Sequence, residues 1–256
     1  MSIKPAYMTA TLAKGLDVLE ALSDEEEAGL SDLARKMGLS GPTLFRLLAT
    51  LAACGYVQKS AANRYRLTLK TWEIGARAVR RIGLREQAHP HMERLATELD
   101  ETVHLSVLQG DGIVVIDKVD CANPVRVDTF VGLRAPLHGS ATGKAILAFL
   151  PEATLDELLP SRLLRHTDAT IIDRAALLRE LAQVRRAGWA RNREEWRPGV
   201  CAAAVPVRDA TGTVVAALSV TVPSSRFAND VVRDRLVPAL RRAAEAITRE
   251  VTRKGQ

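Results

Sequence analysis

The chain has 256 residues, 47% of them hydrophobic and 26% charged, enough apolar material for one large domain or two ordinary ones and too much for wholesale disorder. Its formal net charge of +6 favours an anionic partner. Cys54, Cys121 and Cys201 are far apart, with no CxxC pair and no Cys/His cluster at zinc spacing, so no disulfide framework, metal site or other cofactor is expected.

Residues 11–23 place Leu12, Leu16, Leu19 and Leu22 at helical spacing. Leu30, Leu33, Ala34 and Met37 repeat that spacing, and so do Leu44, Leu47, Leu48 and Leu51. The pattern predicts three short amphipathic helices around one small core. Ser31 and Asp32 are cap candidates for the second helix, and Gly38 supplies the left-handed residue that can end it. The third opens at Ser40-Gly41-Pro42. Pro42 suits a first turn, where its missing N–H costs nothing, and either Ser40 or Gly41 can be the cap. Residues 55–59 and 64–67 are β-favouring runs around a polar turn. They predict a hairpin with Tyr65 and Leu67 on one face, Arg64 and Arg66 on the other. Three helices and a hairpin make a winged helix-turn-helix.

A further helical pattern runs from Leu69 through Trp72, Ala76 and Val79, exposes Arg77, Arg80 and Arg81, and is expected to end near residues 83–85. His89-Pro90 then opens another helix through Leu95 and Leu99. The expected organisation is a winged helix-turn-helix over 8–70, a linker helix over 71–85 and a further domain over 86–254. Strand-like runs follow at 103–108, 113–119, 125–129, 202–207 and 214–222. Helical runs lie at 141–150, 173–187 and 231–251, with Pro238 expected to bend or break the last. Strands before and after a helical segment give an α+β fold class. The longest apolar run, 214–222, is interrupted by Ser219 and Thr221 and is too short to span a bilayer. With no signal-peptide core and few cysteines, a cytoplasmic protein without membrane contact is expected.

Between Leu33 and Lys70 the chain carries Arg35, Lys36, Arg46, Lys59, Arg64, Arg66 and Lys70 and no acidic residue, a little after the acidic run at 24–27. If Leu44, Leu47, Leu48 and Leu51 are buried, the same helix exposes Thr43, Phe45, Arg46 and Thr50. Arg46 can reach guanine O6/N7 or a phosphate, and Ser40 and Thr43 can bond phosphate at the helix N-terminus. Arg64 and Arg66 on the hairpin suit the DNA backbone or the adjacent minor groove. A helical domain that docks onto protein would share the three amphipathic helices. The hairpin, the short turn and the acid-free stretch favour DNA.

Ser140 precedes a helix start at Ala141-Thr142-Gly143, where small residues allow an anion to approach free N–H groups. An ordinary serine cap gives the same pattern, and these residues alone favour the cap. A hydrolase is the other reading of Ser140 with His138 and Cys201. However, Gly139-Ser140-Ala141-Thr142-Gly143 has its serine one place too early for G-x-S-x-G. No phosphate loop or dinucleotide fingerprint is present, so no catalytic residue is assigned.

Taken together, several segments resemble the IclR family of bacterial transcriptional regulators. They are Lys14-Gly15-Leu16-Asp17-Val18-Leu19, Leu33-Ala34 with Gly38-Leu39, Arg46-Leu47-Leu48-Ala49-Thr50-Leu51, and Gly55-Tyr56-Val57 ahead of Tyr65-Arg66-Leu67. Further on they are Glu101-Thr102-Val103-His104-Leu105, Pro136-Leu137-His138 with Gly143-Lys144-Ala145, Glu194-Glu195, Gly199-Val200, Ala204-Val205-Pro206-Val207 and Ala217-Leu218-Ser219-Val220. The resemblance implies a winged-helix domain, a linker helix and a GAF-like effector-binding domain. It also implies homodimers or dimers of dimers on partly palindromic operator DNA, acting as repressors or activators under small organic acids. Carried over by position, the effector pocket involves Val127, Thr129, Ala141, Thr142, Asn192, Ala202, Ser219 and Thr221. Ser219 and Thr221 share one face of a strand. Some members have cysteine at the position of Ala202, whereas here the cysteine is the neighbouring Cys201, which points the other way. Trp196 and His104 are possible further contacts. Their more ordinary roles are an anchored loop residue and a satisfied strand residue. The expected function is a sequence-specific DNA-binding regulator modulated by an aromatic carboxylate, with a glyoxylate-like aliphatic acid as the alternative.

Overall fold

In a computed structural model, which describes residues 7–254 apart from the side chains of 80–82 and 254, Leu44 and Leu48 are fully buried one turn apart. They lie on α3 (Gly41–Ala53) and meet Val18 and Leu22 of α1 (Ala10–Ser23), Leu33 of α2 (Leu30–Met37), and Val57 and Tyr65 of a hairpin. That hairpin is β2 (Val57–Lys59) with β3 (Arg64–Leu67), and β1 (Ala28–Gly29) adds a third strand on the far side of β3. A two-residue strand has no period, so β1 was not legible in advance. Gly38 ends α2 with φ +63°, a backbone shape that strains any side chain. Ser40 is the cap of α3: its Oγ accepts the Thr43 N–H at 3.4 Å, and Pro42 lies in the first turn. Leu12 and Leu16 depart from the expected core. They are 64% and 54% exposed, while Gly15, Val18 and Leu22 form the buried face of α1. The helix carries two apolar stripes, and only one faces the core.

α4 (Lys70–Ile82) follows, with Trp72 and Ile74 exposed and Leu69 exposed just before it. The expected exposure of Arg80 and Arg81 lies outside the described residues. Gly83, at φ +67°, separates α4 from α5 (Leu84–Leu99). α5 thus starts before His89 and contains Pro90. Pro90 forfeits one intrahelical bond, but Leu84, Ala88 and Met92 bury the helix on both sides of it, and packing outweighs propensity. The chain forms two compact units, divided between Arg81 and Ile82.

The second unit is built on a six-stranded sheet in the order β6-β5-β4-β9-β8-β7, each neighbouring pair antiparallel. The strands are β4 (Thr102–Gln109), β5 (Gly112–Val119), β6 (Arg134–Pro136), β7 (Ala190–Arg193), β8 (Val200–Arg208) and β9 (Val214–Pro223). α6 (Ala141–Leu147) packs on one face through Ala202, Ala204, Ala217 and Ile113 and is backed by α8 (Arg174–Ala187). Alternate residues such as Ala203, Leu218 and Val220 turn to the other face. α5 and α10 (Val237–Lys254) pack together and against the sheet.

Several expectations change here. Residues 125–129 are not a strand, although they alternate apolar and polar side chains. The edge of β5 is taken instead by β6, with Ile113 opposite Ala135. Val127 and Thr129 therefore sit on the connection between β5 and β6. The helix expected over 141–150 stops at Leu147, and a separate α7 (Glu152–Leu158) follows Pro151. Near Pro238 the chain runs through α9 (Asn229–Val231) and a π-helical turn (Val232–Leu236), and Pro238 falls in the first turn of α10. The wider turn re-registers the ladder where proline offers no N–H.

Candidate functional site

Thr43, Phe45, Arg46 and Thr50 are exposed on α3, opposite Leu44, Leu47 and Leu48. Ser40 Oγ lies 2.8 Å from Thr43 Oγ1, so the two hydroxyls share the cap at the helix start. Arg64 and Arg66 are exposed on one face of β3, and both are also in contact with Glu27. Arg64 Nη2 donates to the Glu27 carbonyl at 2.8 Å, and Arg66 Nη1 is 3.7 Å from Glu27 Oε1. Lys36 Nζ lies 3.5 Å from both Asp24 and Glu25. The stretch that is acid-free in sequence is thus partly neutralised in space, because pairing β1 with β3 brings the acidic run alongside. Among the described residues the ion pairs here involve Arg35, Lys36 and Arg66, which leaves Arg46 as the unpaired cation on the exposed face of α3.

In the second unit Val127, Thr129, Ala141, Thr142, Asn192, Ala202, Ser219 and Thr221 all line one cavity of about 580 Å³, its mouth included. Ile113, Val115, Leu133 and Ala135 add an apolar wall, and Ser106, Ser140, Trp196 and Arg197 complete much of the rest. The Arg197 guanidinium lies 4.4 Å from the centre of the Trp196 ring. Cys201 does not line the cavity, and burial pushes its thiol up from the ordinary value, so it stays protonated.

α6 can start where it does because residue 143 is glycine. A Cβ there would stand 2.1 Å from the Leu137 carbonyl oxygen. Ser140 is a true cap, donating to the Pro136 carbonyl at 2.6 Å and accepting the Gly143 N–H at 3.1 Å. His138 Nε2 bonds the Leu164 carbonyl at 2.8 Å. A Ser–His nucleophile is therefore not assembled.

One turn further on, Lys144 is fully buried. Its Nζ donates to both carboxylate oxygens of Glu195, at 2.7 and 2.8 Å, with Glu180 Oε1 at 3.6 Å. Glu195 also accepts the Arg193 N–H at 3.3 Å. The Asn192 Oδ1 accepts the Glu195 N–H at 2.8 Å, and Thr170 Oγ1 donates to the Glu195 carbonyl at 2.7 Å. This clamp joins α6 to the β7–β8 loop and so fixes Asn192, Trp196 and Arg197 against Ala141 and Thr142.

His104 lines the cavity and is held from both ring nitrogens: Nε2 is 2.8 Å from Thr129 Oγ1 and Nδ1 is 3.3 Å from Thr221 Oγ1. Burial, helped by the nearby Lys118 ammonium, lowers its pKa to about 4. The ring is neutral near pH 7, one nitrogen donating and the other accepting.

Residues 11–61 match the IclR helix-turn-helix domain, and residues 76–249 match the C-terminal domain of bacterial IclR transcriptional regulators. The chain belongs to the IclR family. It is 35% identical over 244 residues to the HTH-type transcriptional regulator KdgR of Escherichia coli K12, covering 94% of this chain and 92% of KdgR. The crystal structure of Thermotoga maritima IclR superimposes with a TM-score of 0.76 at 30% identity, covering 95% of this chain and 99% of that one. An IclR homolog from Microbacterium hydrocarbonoxydans, crystallised with 4-hydroxybenzoate, gives 0.80 at 29% identity, covering 94% and 99%. The protein is an IclR-family transcriptional regulator with a helix-turn-helix DNA-binding domain and a C-terminal effector domain, and not an enzyme. Among the described residues no helix is long and apolar enough to cross a membrane.

Sequence reasoning missed the apolar wall of this regulator's cavity, its Ser106 and Arg197, and the Lys144–Glu195 clamp behind it. Arg197 and Ser106 gave no signal beyond their residue type. The Lys144–Glu195 pair spans 51 residues, and its only trace was a lysine among the small and apolar residues of 141–147.

Lys144→Met should strand a buried carboxylate and lower stability by about 3–5 kcal/mol in denaturant unfolding, whereas Lys144→Met with Glu195→Leu should cost clearly less. Equal losses would show that the clamp is not the cause. The unfolded chain protonates His104 near pH 6.5 and the folded one only near 4, so stability should fall as pH drops through that window. The fall amounts to about 3 kcal/mol at most. In His104→Asn the thermal midpoint should drop less steeply over the same range.

Proposed function

We propose that this regulator binds a specific operator and that a small organic acid in the C-terminal cavity sets its DNA affinity. The observation that carries the reading is the composition of the cavity. An apolar wall of Ile113, Val115, Val127 and Leu133 faces short polar groups on Thr142, Asn192, Ser219 and Thr221, with Arg197 also among the lining residues. Such a site takes a flat hydrocarbon body on one side and hydrogen-bonds a polar end on the other. Arg197 and the α6 start, whose first N–H groups have no partner within the helix, suit a carboxylate. His104 adds no charge near pH 7, so the ligand is a monoanion rather than a polyanion. The wall favours an aromatic carboxylate, and 4-hydroxybenzoate in a structural relative supports that choice.

Operator reading falls to α3. Arg46 reads a base, and Ser40 and Thr43 hold phosphate. Arg64 and Arg66 reach the DNA backbone only by giving up Glu27, so they contribute less. The working form is a homodimer or dimer of dimers, acting in the cytoplasm on partly palindromic DNA. Leu12 and Leu16 on α1 and Leu69, Trp72 and Ile74 at α4 offer exposed apolar surface for a second copy. Paired recognition helices must then lie about 34 Å apart, or a multiple. α4 serves as the linker through which cavity occupancy biases that spacing. The acid shifts DNA affinity only by its differential affinity for the two arrangements.

With DNA from upstream of its own gene, the protein should form a specific complex at low salt, and Arg46→Ala should weaken it by about 1–3 kcal/mol with relaxed specificity. No specific complex would overturn the operator reading, and a uniform loss across sequences would reassign Arg46 to phosphate. In calorimetry, 4-hydroxybenzoate should bind with different affinity in the presence and absence of operator. Thr142→Leu should abolish that heat while sparing DNA binding. Equal affinities would exclude the coupling, and heat from glyoxylate alone would select the aliphatic acid.

A further inference from the structure

A groove of about 1290 Å³, the open solvent at its mouth included, lies between the end of α8, the end of β8 and α10, and shares no lining residue with the cavity described above. Five arginines line it: Arg185 and Arg186 from the last turn of α8, Arg208 from β8, and Arg241 and Arg249 from α10. Glu245 is its one acidic residue. Arg241, Glu245, Thr248 and Arg249 follow the i, i+4, i+7, i+8 spacing of one helix face, which sets the two arginines about 12 Å apart along the axis. The ion pairs found on α10 among the described residues use Arg242 and Arg253 instead.

Some of this charge has a structural use. Arg185 Nε donates to the Ala148 carbonyl at 2.5 Å, Arg241 Nη2 to the Ala187 carbonyl at 2.5 Å, and Arg208 Nη1 to the Gly212 carbonyl at 2.7 Å. The Arg208 guanidinium also sits 4.3 Å over the Phe149 ring. The first two bonds satisfy the ends of α6 and α8 and the third the β8–β9 turn, yet each uses one of a guanidinium's five N–H groups. Arg186 and Arg249 make no such bond among the described residues. Like charges are therefore gathered in excess of what the helix ends need.

The groove also has an apolar floor of Val205, Pro206 and Ala244. β7 reaches only as far as Ala190, opposite Ala204, so the end of β8 is paired with β9 on one edge and has no strand on the other. Adding one is blocked, because Pro206 has no N–H and the Arg208 N–H is taken by Thr248 Oγ1 at 3.3 Å. An occupant must bind through its side chains. A concave site with an apolar floor is a poor match for the convex, fully charged backbone of duplex DNA.

We propose that this groove docks an acidic, partly apolar segment of a protein partner. Its carboxylates pair with Arg186, Arg208 and Arg249, and its apolar side chains rest on Val205, Pro206 and Ala244. The test is fluorescence anisotropy of the full-length protein with a dye-labelled peptide of Glu and Leu, beside the same peptide with Gln for Glu. The acidic peptide alone should bind, more weakly as salt rises. Arg186→Glu with Arg249→Glu should lower its affinity about tenfold or more, with operator binding and the unfolding midpoint retained. Arg186→Gln with Arg249→Gln gives the same readout if the charge reversal impairs folding. No binding, equal binding of the Gln peptide, or unchanged binding by both variants overturns the proposal. A change in oligomeric mass in the variants without peptide would overturn it in favour of a second copy of the chain. Loss of non-operator duplex binding in place of peptide binding would overturn it in favour of phosphate.

Discussion

A lysine side chain with no solvent around it is costly to bury unless a carboxylate meets it, and Glu195 meets Lys144 with both oxygens. Much of the effector domain's geometry hangs on that pair. Lys144 belongs to the helix whose start carries Ala141 and Thr142. Glu195 belongs to the loop that carries Trp196 and Arg197 and directly follows β7, which carries Asn192. A hydrophobic contact could hold the same two elements together, but it would tolerate sliding. Two short charge-assisted bonds, with Asn192 and Thr170 fixing the Glu195 backbone, allow one register only. Gly143 completes the constraint by letting the helix start lie against Leu137.

The DNA-reading end follows a different logic. Its core is made of side chains one helical turn apart, so α3 is positioned by close packing rather than by ion pairs. Charge acts there by subtraction. Carboxylates of the acidic run at 24–27 engage Lys36 and Arg66, the Glu27 carbonyl holds Arg64, and Arg46 is left to present its charge on the exposed face of α3. Basic residues near a recognition helix are thus not all available to DNA.

What was legible in the sequence was local. The leucine spacing of α3, the left-handed Gly38, the turn residues and the shared face of Ser219 and Thr221 follow from backbone periods of a few residues. The positions of the cavity lining came from likeness to a family, not from any period. What escaped was pairing across the chain. An amphipathic stripe does not say which of two apolar faces meets the core, and this misplaced Leu12 and Leu16. Alternation at 125–129 does not say whether a partner strand is free, and β6 had taken the edge. Lys144 and Glu195 look like two surface charges until the fold brings them together.

His104 has a consequence for how effector choice can change. It stands between two hydroxyls, Thr129 and Thr221, each able to give or receive a proton. Moving the ring proton from one nitrogen to the other reverses the polarity of both bonds without displacing an atom of the carbon framework. The pocket thereby owns two complementary patterns, one offering a donor where the other offers an acceptor. A phenol and a carbonyl of similar outline could be greeted in turn by the same walls. Diversification toward a new ligand can then begin from tautomeric tolerance, before any residue of the lining is replaced.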